Sequence, residues 1–194
     1  MNLKEKYKAN CIILASKSPR RKELLNLLDI DFSTTSLSVQ ETYPFDLKGK
    51  HITEHICKKK AKTYSFSNEN EIVITADTLV MTEDQTLGKP KNEGEAKSIL
   101  RQLANRQHQV ISSFCVASTT KMTVQSDIAN VFMSDLDDEE IEYYVTNYKP
   151  FDKAGAYGIQ EWIGAVGVEK IEGSYYTIMG LPIHKLYKVL VNFL

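Results

Sequence analysis

The run Cys11-Ile12-Ile13-Leu14-Ala15 is continuously apolar and stops abruptly at the polar turn Ser16-Lys17-Ser18-Pro19. A strand with no polar alternation is apolar on both faces, so it belongs inside a sheet that is covered on both sides. Ser18 and Pro19 then read as the N-cap and first position of a helix over residues 20–28, with Leu24, Leu25, Leu27 and Leu28 as its apolar residues. Strand, short loop and helix in this order open an α/β unit.

The rest of the chain continues the alternation. A helix is expected over residues 52–64 and a strand over 71–76 that ends at Asp77. Asn92 with Glu95 reads as a capping box for a helix through Leu103, and Asp137 with Glu140 as another for a helix through Val145. Residues 108–117 and 124–133 read as two strands, expected to be antiparallel neighbours. A Gly-rich stretch over 155–180 holds a short strand at 166–171, and Pro182 starts a closing helix that carries Leu186, Val189 and Leu190. The expected fold class is α/β, a mixed sheet with flanking helices. With no repeat, low-complexity tract or Pro/Gly-rich linker to mark a boundary, residues 1–194 are read as one domain.

Charge balance narrows the function. Twenty-four Lys and Arg face 25 Asp and Glu, a net charge of −1. That balance argues against a protein that coats a nucleic acid polymer or an acidic membrane. Any phosphate binding must come from a few positioned cations. Cys11, Cys57 and Cys115 show no metal-ligand spacing, and Cys11 and Cys115, inside apolar runs, are expected to be buried thiols. No apolar stretch approaches the ~20 residues of a membrane-spanning helix, and the N-terminal residues do not read as a signal peptide. The expected location is the cytoplasm.

Arg20 and Arg21 occupy the first turn of the first helix, where the helix dipole disfavours cations by ~0.3–1 kcal/mol each. An anion resolves the conflict, because backbone N–H groups and two guanidinium forks can converge on a phosphate. Two solvated surface arginines are the plainer alternative. Asp77 sits at the carboxyl end of a buried strand, where ligands gather in open α/β sheets. There it can hold Mg²⁺, take a proton from water, or simply cap a turn. Gly88-Lys89-Pro90 holds Lys89 in a shaped loop. Lys58, Lys59, Lys60 and Lys62 fall on one helix, and most of the four are expected to be solvated. The density of special residues in Phe151-Asp152-Lys153-Ala154-Gly155-Ala156-Tyr157-Gly158-Ile159-Gln160 suits a binding loop.

The block Ala15-Ser16-Lys17-Ser18-Pro19-Arg20-Arg21-Lys22-Glu23-Leu24-Leu25 resembles the opening signature of the Maf family of nucleoside triphosphate pyrophosphatases. The resemblance continues in family order through Glu41-Thr42, Lys60-Ala61, Ala76-Asp77-Thr78, Gly88-Lys89-Pro90, residues 152–160, Ile171-Glu172-Gly173-Ser174-Tyr175 and Gly180-Leu181-Pro182. It implies two lobes around a central cleft, often in a homodimer. It also implies hydrolysis of a nucleoside triphosphate to the monophosphate and pyrophosphate with a divalent metal cation, Mg²⁺ or Mn²⁺. By the same resemblance Ser16, Arg20, Arg21, Lys60 and Lys89 grip the phosphates, with Lys89 counted among the catalytic residues. Glu41 and Asp77 hold the metal and activate water, and Gln160 helps position substrate. Ala76-Asp77-Thr78 with Gln160 looks like the dTTP/UTP subgroup; another subgroup carries Ser-Asp-Gln and prefers 7-methyl-GTP. The chain departs from the family pattern at Gln40, Lys149 and Tyr176-Thr177.

A different class of function is a nucleotide-binding regulator of cell division, an inhibitor of septum formation, which could keep the arginines without catalysis. Retention of Glu41 and Asp77 beside Lys89 favours the enzyme. A pure binder of polyanions has no use for carboxylates whose charge weakens binding.

Overall fold

The opening apolar run is a strand, and the alternation that follows it is carried through the chain. The computed structural model describes residues 2–83 and 85–194. In chain order it has helix α1 (Leu3–Lys6), strand β1 (Cys11–Ala15), helix α2 (Pro19–Asn26), strand β2 (Ser33–Thr35) and helix α3 (Lys50–Thr63). Next come strands β3 (Glu71–Met81) and β4 (Thr86–Leu87), helix α4 (Glu93–Leu103), strands β5 (Gln107–Ala117) and β6 (Met122–Met133), and helix α5 (Asp138–Tyr148). A single 3₁₀ turn (Ala154–Ala156), helix α6 (Trp162–Val166), strand β7 (Val168–Glu172) and helices α7 (Tyr175–Met179) and α8 (Ile183–Phe193) complete it. The sheet is seven-stranded in the order β2-β1-β3-β5-β6-β7, with β4 paired to β3. It is mixed: β1 runs parallel to β2 and β3, whereas β3–β4 and β6–β7 are antiparallel. Among the described residues no helix is long and apolar enough to cross a membrane.

Contacts divide the chain into two compact units. One comprises Met1–Asp77, Ser112–Asp127 and Gly180–Leu194; the other comprises Thr78–Ile111 and Ile128–Met179. In the first, small side chains let helix and sheet approach closely: Ala15, Cys57, Ala61, Val73, Cys115 and Ala117 form one buried cluster. Helix α3 turns Ile52, Thr53, Ile56, Cys57 and Ala61 inward, the i, i+4 stripe of an amphipathic helix. Polar groups lock it in place. Thr75 Oγ1 donates to the Cys57 carbonyl at 2.8 Å, and Thr53 Oγ1 lies 2.5 Å from Ser113 Oγ. At the other end of the sequence, Tyr7 Oη donates to the Leu190 carbonyl at 2.7 Å and ties α1 to α8.

The second unit is organised around a larger hydrophobic cluster that includes Leu100, Leu103, Val131, Ile141, Tyr144 and Ile163. The capping box at Asp137 and Glu140 is present in both directions. The one expected at Asn92 is half made. Asn92 Oδ1 accepts from the Glu95 amide at 2.9 Å, but the Glu95 carboxylate takes the Lys91 amide, one residue before the cap. Short helices α6 and α7 occupy the Gly-rich stretch, and the strand there starts at Val168 because Val166 ends α6. Cys115 is buried as expected, but Cys11 is exposed. Cys11 is the outermost residue of β1, and burial begins only at Ile12.

His108 is fully buried, with Nε2 2.8 Å from Tyr157 Oη and no hydrogen-bond partner for Nδ1 among the described residues. Burial pushes the imidazole down from 6.5 to about 4, so the folded chain holds it neutral. The unfolded chain then binds the extra proton first, and stability present above pH 6.5 is lost as pH falls toward 4. The loss is at most about 3 kcal/mol by linkage. Urea unfolding between pH 7 and 4 is expected to show this decline and to show a shallower one in His108→Gln. Equal pH slopes in the two proteins would contradict it.

Candidate active site

Six of the eight expected site residues lie in the first unit: Ser16, Arg20, Arg21, Glu41, Lys60 and Asp77. Lys89 and Gln160 belong to the second.

Asp77 was expected at a strand end, and β3 in fact continues through it to Met81. The apolar Leu79 and Val80 extend the strand, which there pairs with β4. The parallel pairing of β1 with β3 nevertheless stops at Leu14↔Ile74. Asp77 therefore lies just past the carboxyl end of its parallel neighbour, the position where α/β sheets collect ligands. Beside it the chain leaves β1 through Ser16, whose Oγ accepts the Ser18 amide at 3.2 Å, and enters α2. Ser18 is the N-cap residue, as expected, but its side chain makes no capping hydrogen bond.

Arg21 and Lys60 face Asp77, each for a reason visible in helical spacing. Leu25, buried, is one turn after Arg21 on α2. Lys60 falls one turn after Ile56 on the inward stripe of α3, and its side chain is 12% exposed. Arg21 is fixed by backbone carbonyls: Nε donates to Gly180 and Nη1 to Ala76, both at 2.9 Å. A guanidinium anchored in this way loses little further freedom on binding an anion. Lys60 Nζ reaches three acceptors: Glu41 Oε1 at 2.7 Å, Asp77 Oδ1 at 3.0 Å and the Ala76 carbonyl at 3.3 Å. An ammonium has three donors, and all three are assigned.

Glu41 reaches this point from the irregular segment between β2 and α3, with its side chain 48% exposed. Its neighbour Thr42 is held by Lys59, whose Nζ lies 2.8 Å from Thr42 Oγ1. Of the four lysines on α3, Lys58 and Lys62 are exposed as expected, whereas Lys59 and Lys60 are half-buried and engaged. Burial raises the Asp77 carboxyl above its usual range, and Lys60 and Arg21 pull it back. Burial likewise lowers Arg21, with Asp77 opposing.

The carboxylate oxygens of Glu41 and Asp77 converge on one cation, the Lys60 ammonium. Hard oxygen donors suit Mg²⁺ or Mn²⁺, which take one or two carboxylates and complete their shell with water and phosphate. Among the described residues no group of three or more His, Cys, Asp or Glu could hold a metal. The donor set fits a metal shared with a substrate.

In the second unit the loop that carries Gln160 is braced from below. Lys153 is buried and pairs with Glu161 at 3.0 Å and with Asp152 at 2.9 Å. Tyr144 Oη donates to Glu161 and accepts the Gly158 amide at 3.0 Å. Gly155 has φ 72°, and a Cβ there would meet Val80 Cγ2 at 2.9 Å, so only glycine fits. The Gly155 amide donates to the Gly88 carbonyl at 3.1 Å, which joins this loop to the one that presents Lys89. Gln160 and Lys89 are both exposed. Lys153 stands among charged and glycine residues that mark a binding loop, but nothing in the local sequence points to Tyr144, which lies on α5.

Removing one partner of a buried ion pair leaves the other charge unpaired. Lys153→Met is therefore expected to lower unfolding free energy by about 2–4 kcal/mol, measured by urea denaturation. A change under about 0.5 kcal/mol, the size of an ordinary surface substitution, would show the pair to be inert.

Residues 11–193 match the family model described as Maf-like protein. The chain is 47% identical over 191 residues to a dTTP/UTP pyrophosphatase of Flavobacterium johnsoniae, covering 98% of each. It is 48% identical over 194 residues to a dTTP/UTP pyrophosphatase of Parabacteroides distasonis, covering 99% of this chain and 98% of that one. A dTTP/UTP pyrophosphatase of Bacteroides thetaiotaomicron is 48% identical over 178 residues, 91% of this chain and 92% of that one. The chain belongs to the Maf family.

Proposed function

We propose that this chain hydrolyses dTTP and UTP to the nucleoside monophosphate and pyrophosphate, as a cytoplasmic enzyme in which residues 1–194 act as one Maf-like domain. The observation that carries the reading is the buried carboxylate of Asp77, flanked by Lys60 and Arg21 in a chain similar over its whole length to dTTP/UTP pyrophosphatases.

In this reading Asp77 is the general base. Its burial favours the protonated form, so it takes a proton more readily than a solvated carboxylate does. It accepts the proton of a water that attacks the α-phosphorus, and the bond from that phosphorus to the bridging oxygen of the β-phosphate breaks. The leaving pyrophosphate gains charge as it departs. Arg21, anchored through two carbonyls, and Arg20 in the same helical turn are cations of the kind that stabilise such charge. Glu41 and Asp77 would hold a divalent cation, Mg²⁺ or Mn²⁺, which when bound supplies further neutralisation of the phosphate oxygens. Ser16 offers a hydroxyl in the turn between β1 and α2, and Gln160 offers an amide that can pair with the imide edge of uracil or thymine.

A pocket built to hydrogen-bond that edge leaves its polar groups unpaired against a purine, a mismatch that can discriminate by ~10⁴-fold. Steady-state kcat/KM on dTTP, UTP, CTP, GTP and 7-methyl-GTP tests this. The expected result is a clear preference for dTTP and UTP. Preference for 7-methyl-GTP would move the chain to the other subgroup, and absence of pyrophosphate release from every nucleotide would overturn the enzyme reading.

The base assignment has its own test. Asp77 must be deprotonated to act, so kcat/KM should fall as acid protonates it. Asp77→Asn should abolish turnover while circular dichroism shows that the fold is kept. Undiminished turnover in this variant would exclude Asp77 from the chemistry.

A further inference from the structure

The Lys60 ammonium has no donor left for a phosphate: its three N–H groups go to Glu41, Asp77 and the Ala76 carbonyl. It also stands on the point toward which the two carboxylate oxygens converge, within 3.0 Å of both. A divalent cation that uses the same two oxygens cannot coexist with the ammonium there, since like charges a few ångströms apart in a half-buried site repel strongly. Lys60 can bind phosphate, or a metal can take Glu41 Oε1 and Asp77 Oδ1, only after this trio comes apart. A triphosphate carries enough negative charge to draw off the ammonium, and a metal arriving with it takes the vacated carboxylates.

We propose that Lys60 is an exchangeable cation: its ammonium occupies the carboxylates of Glu41 and Asp77 and bars a divalent metal from them until a triphosphate draws it away. The inference rests on the reading of Glu41 and Asp77 as the metal-holding pair. The exchange makes metal and nucleotide binding mutually reinforcing, because each is weak without the other. It also keeps a buried aspartate paired at every stage, which avoids the cost of an isolated buried charge.

Mn²⁺ titration of the full chain without nucleotide, with unbound Mn²⁺ read by its electron paramagnetic resonance signal, tests the exchange directly. Lys60→Met keeps the length and apolar stem of the side chain and removes its charge; it should bind Mn²⁺ about tenfold or more tightly than the parent. Lys60→Arg, which keeps the charge, should bind as weakly as the parent. Adding Asp77→Asn to Lys60→Met should erase the gain. Circular dichroism confirms that each variant is folded, and Lys60→Arg against Lys60→Gln repeats the comparison if Lys60→Met is not. Equal or weaker Mn²⁺ binding on removal of the charge would overturn the exchange. A gain that survives Asp77→Asn would instead overturn the assignment of the metal to this pair.

Discussion

A carboxylate on a buried strand is costly unless a cation meets it, and Asp77 imposes that demand on everything near it. The Asp77 side chain is only 12% exposed, so water supplies little of the compensation. Lys60 and Arg21 supply it instead, and each must itself be held in place. The Ala76 carbonyl, one residue before Asp77, accepts from both of them. This strand therefore provides the charge that attracts the two cations and part of the scaffold that orients them. Glu41 then finds its place through Lys60.

The same economy explains why α3 carries Lys60 where it does. Residues 52, 56 and 60 share one side of the helix, so a lysine at the third position is directed at the sheet as the two isoleucines are. Small side chains at Cys57 and Ala61 let the helix come close enough for the ammonium to reach Asp77 at 3.0 Å. The second unit meets an analogous demand with Lys153, whose buried charge is matched by Glu161 and Asp152 beneath the loop of Gln160.

Much of this was legible in the sequence where a pattern is local. The apolar run at 11–15, the Pro-initiated helices and the Asp137 capping box each follow from a few adjacent residues, and each is present. The expectations that failed depended on what lies across space. Asp77 read as a strand end because a charge interrupts the apolar run, yet β4 supplies a partner that carries the strand on to Met81. Cys11 read as buried because its neighbours are, although the sheet covers β1 only from Ile12 onward. Most of the lysines of α3 were expected to be solvated, and Lys58 and Lys62 are; the i, i+4 spacing from Ile52 and Ile56 separates Lys60 from them. Tyr144 could not be found this way, because its link to Glu161 joins two elements that the sequence separates.

In the proposed function this arrangement serves one bond, the anhydride between the α and β phosphates of a pyrimidine nucleoside triphosphate. Phosphorus NMR of dTTP turnover with Mg²⁺ tests it most directly, because it resolves every phosphate product at once. Cleavage at that bond requires dTMP and pyrophosphate to appear in equal amounts, with no dTDP and no early inorganic phosphate. Accumulation of dTDP with inorganic phosphate would contradict it, since cleavage would then fall at the terminal phosphate.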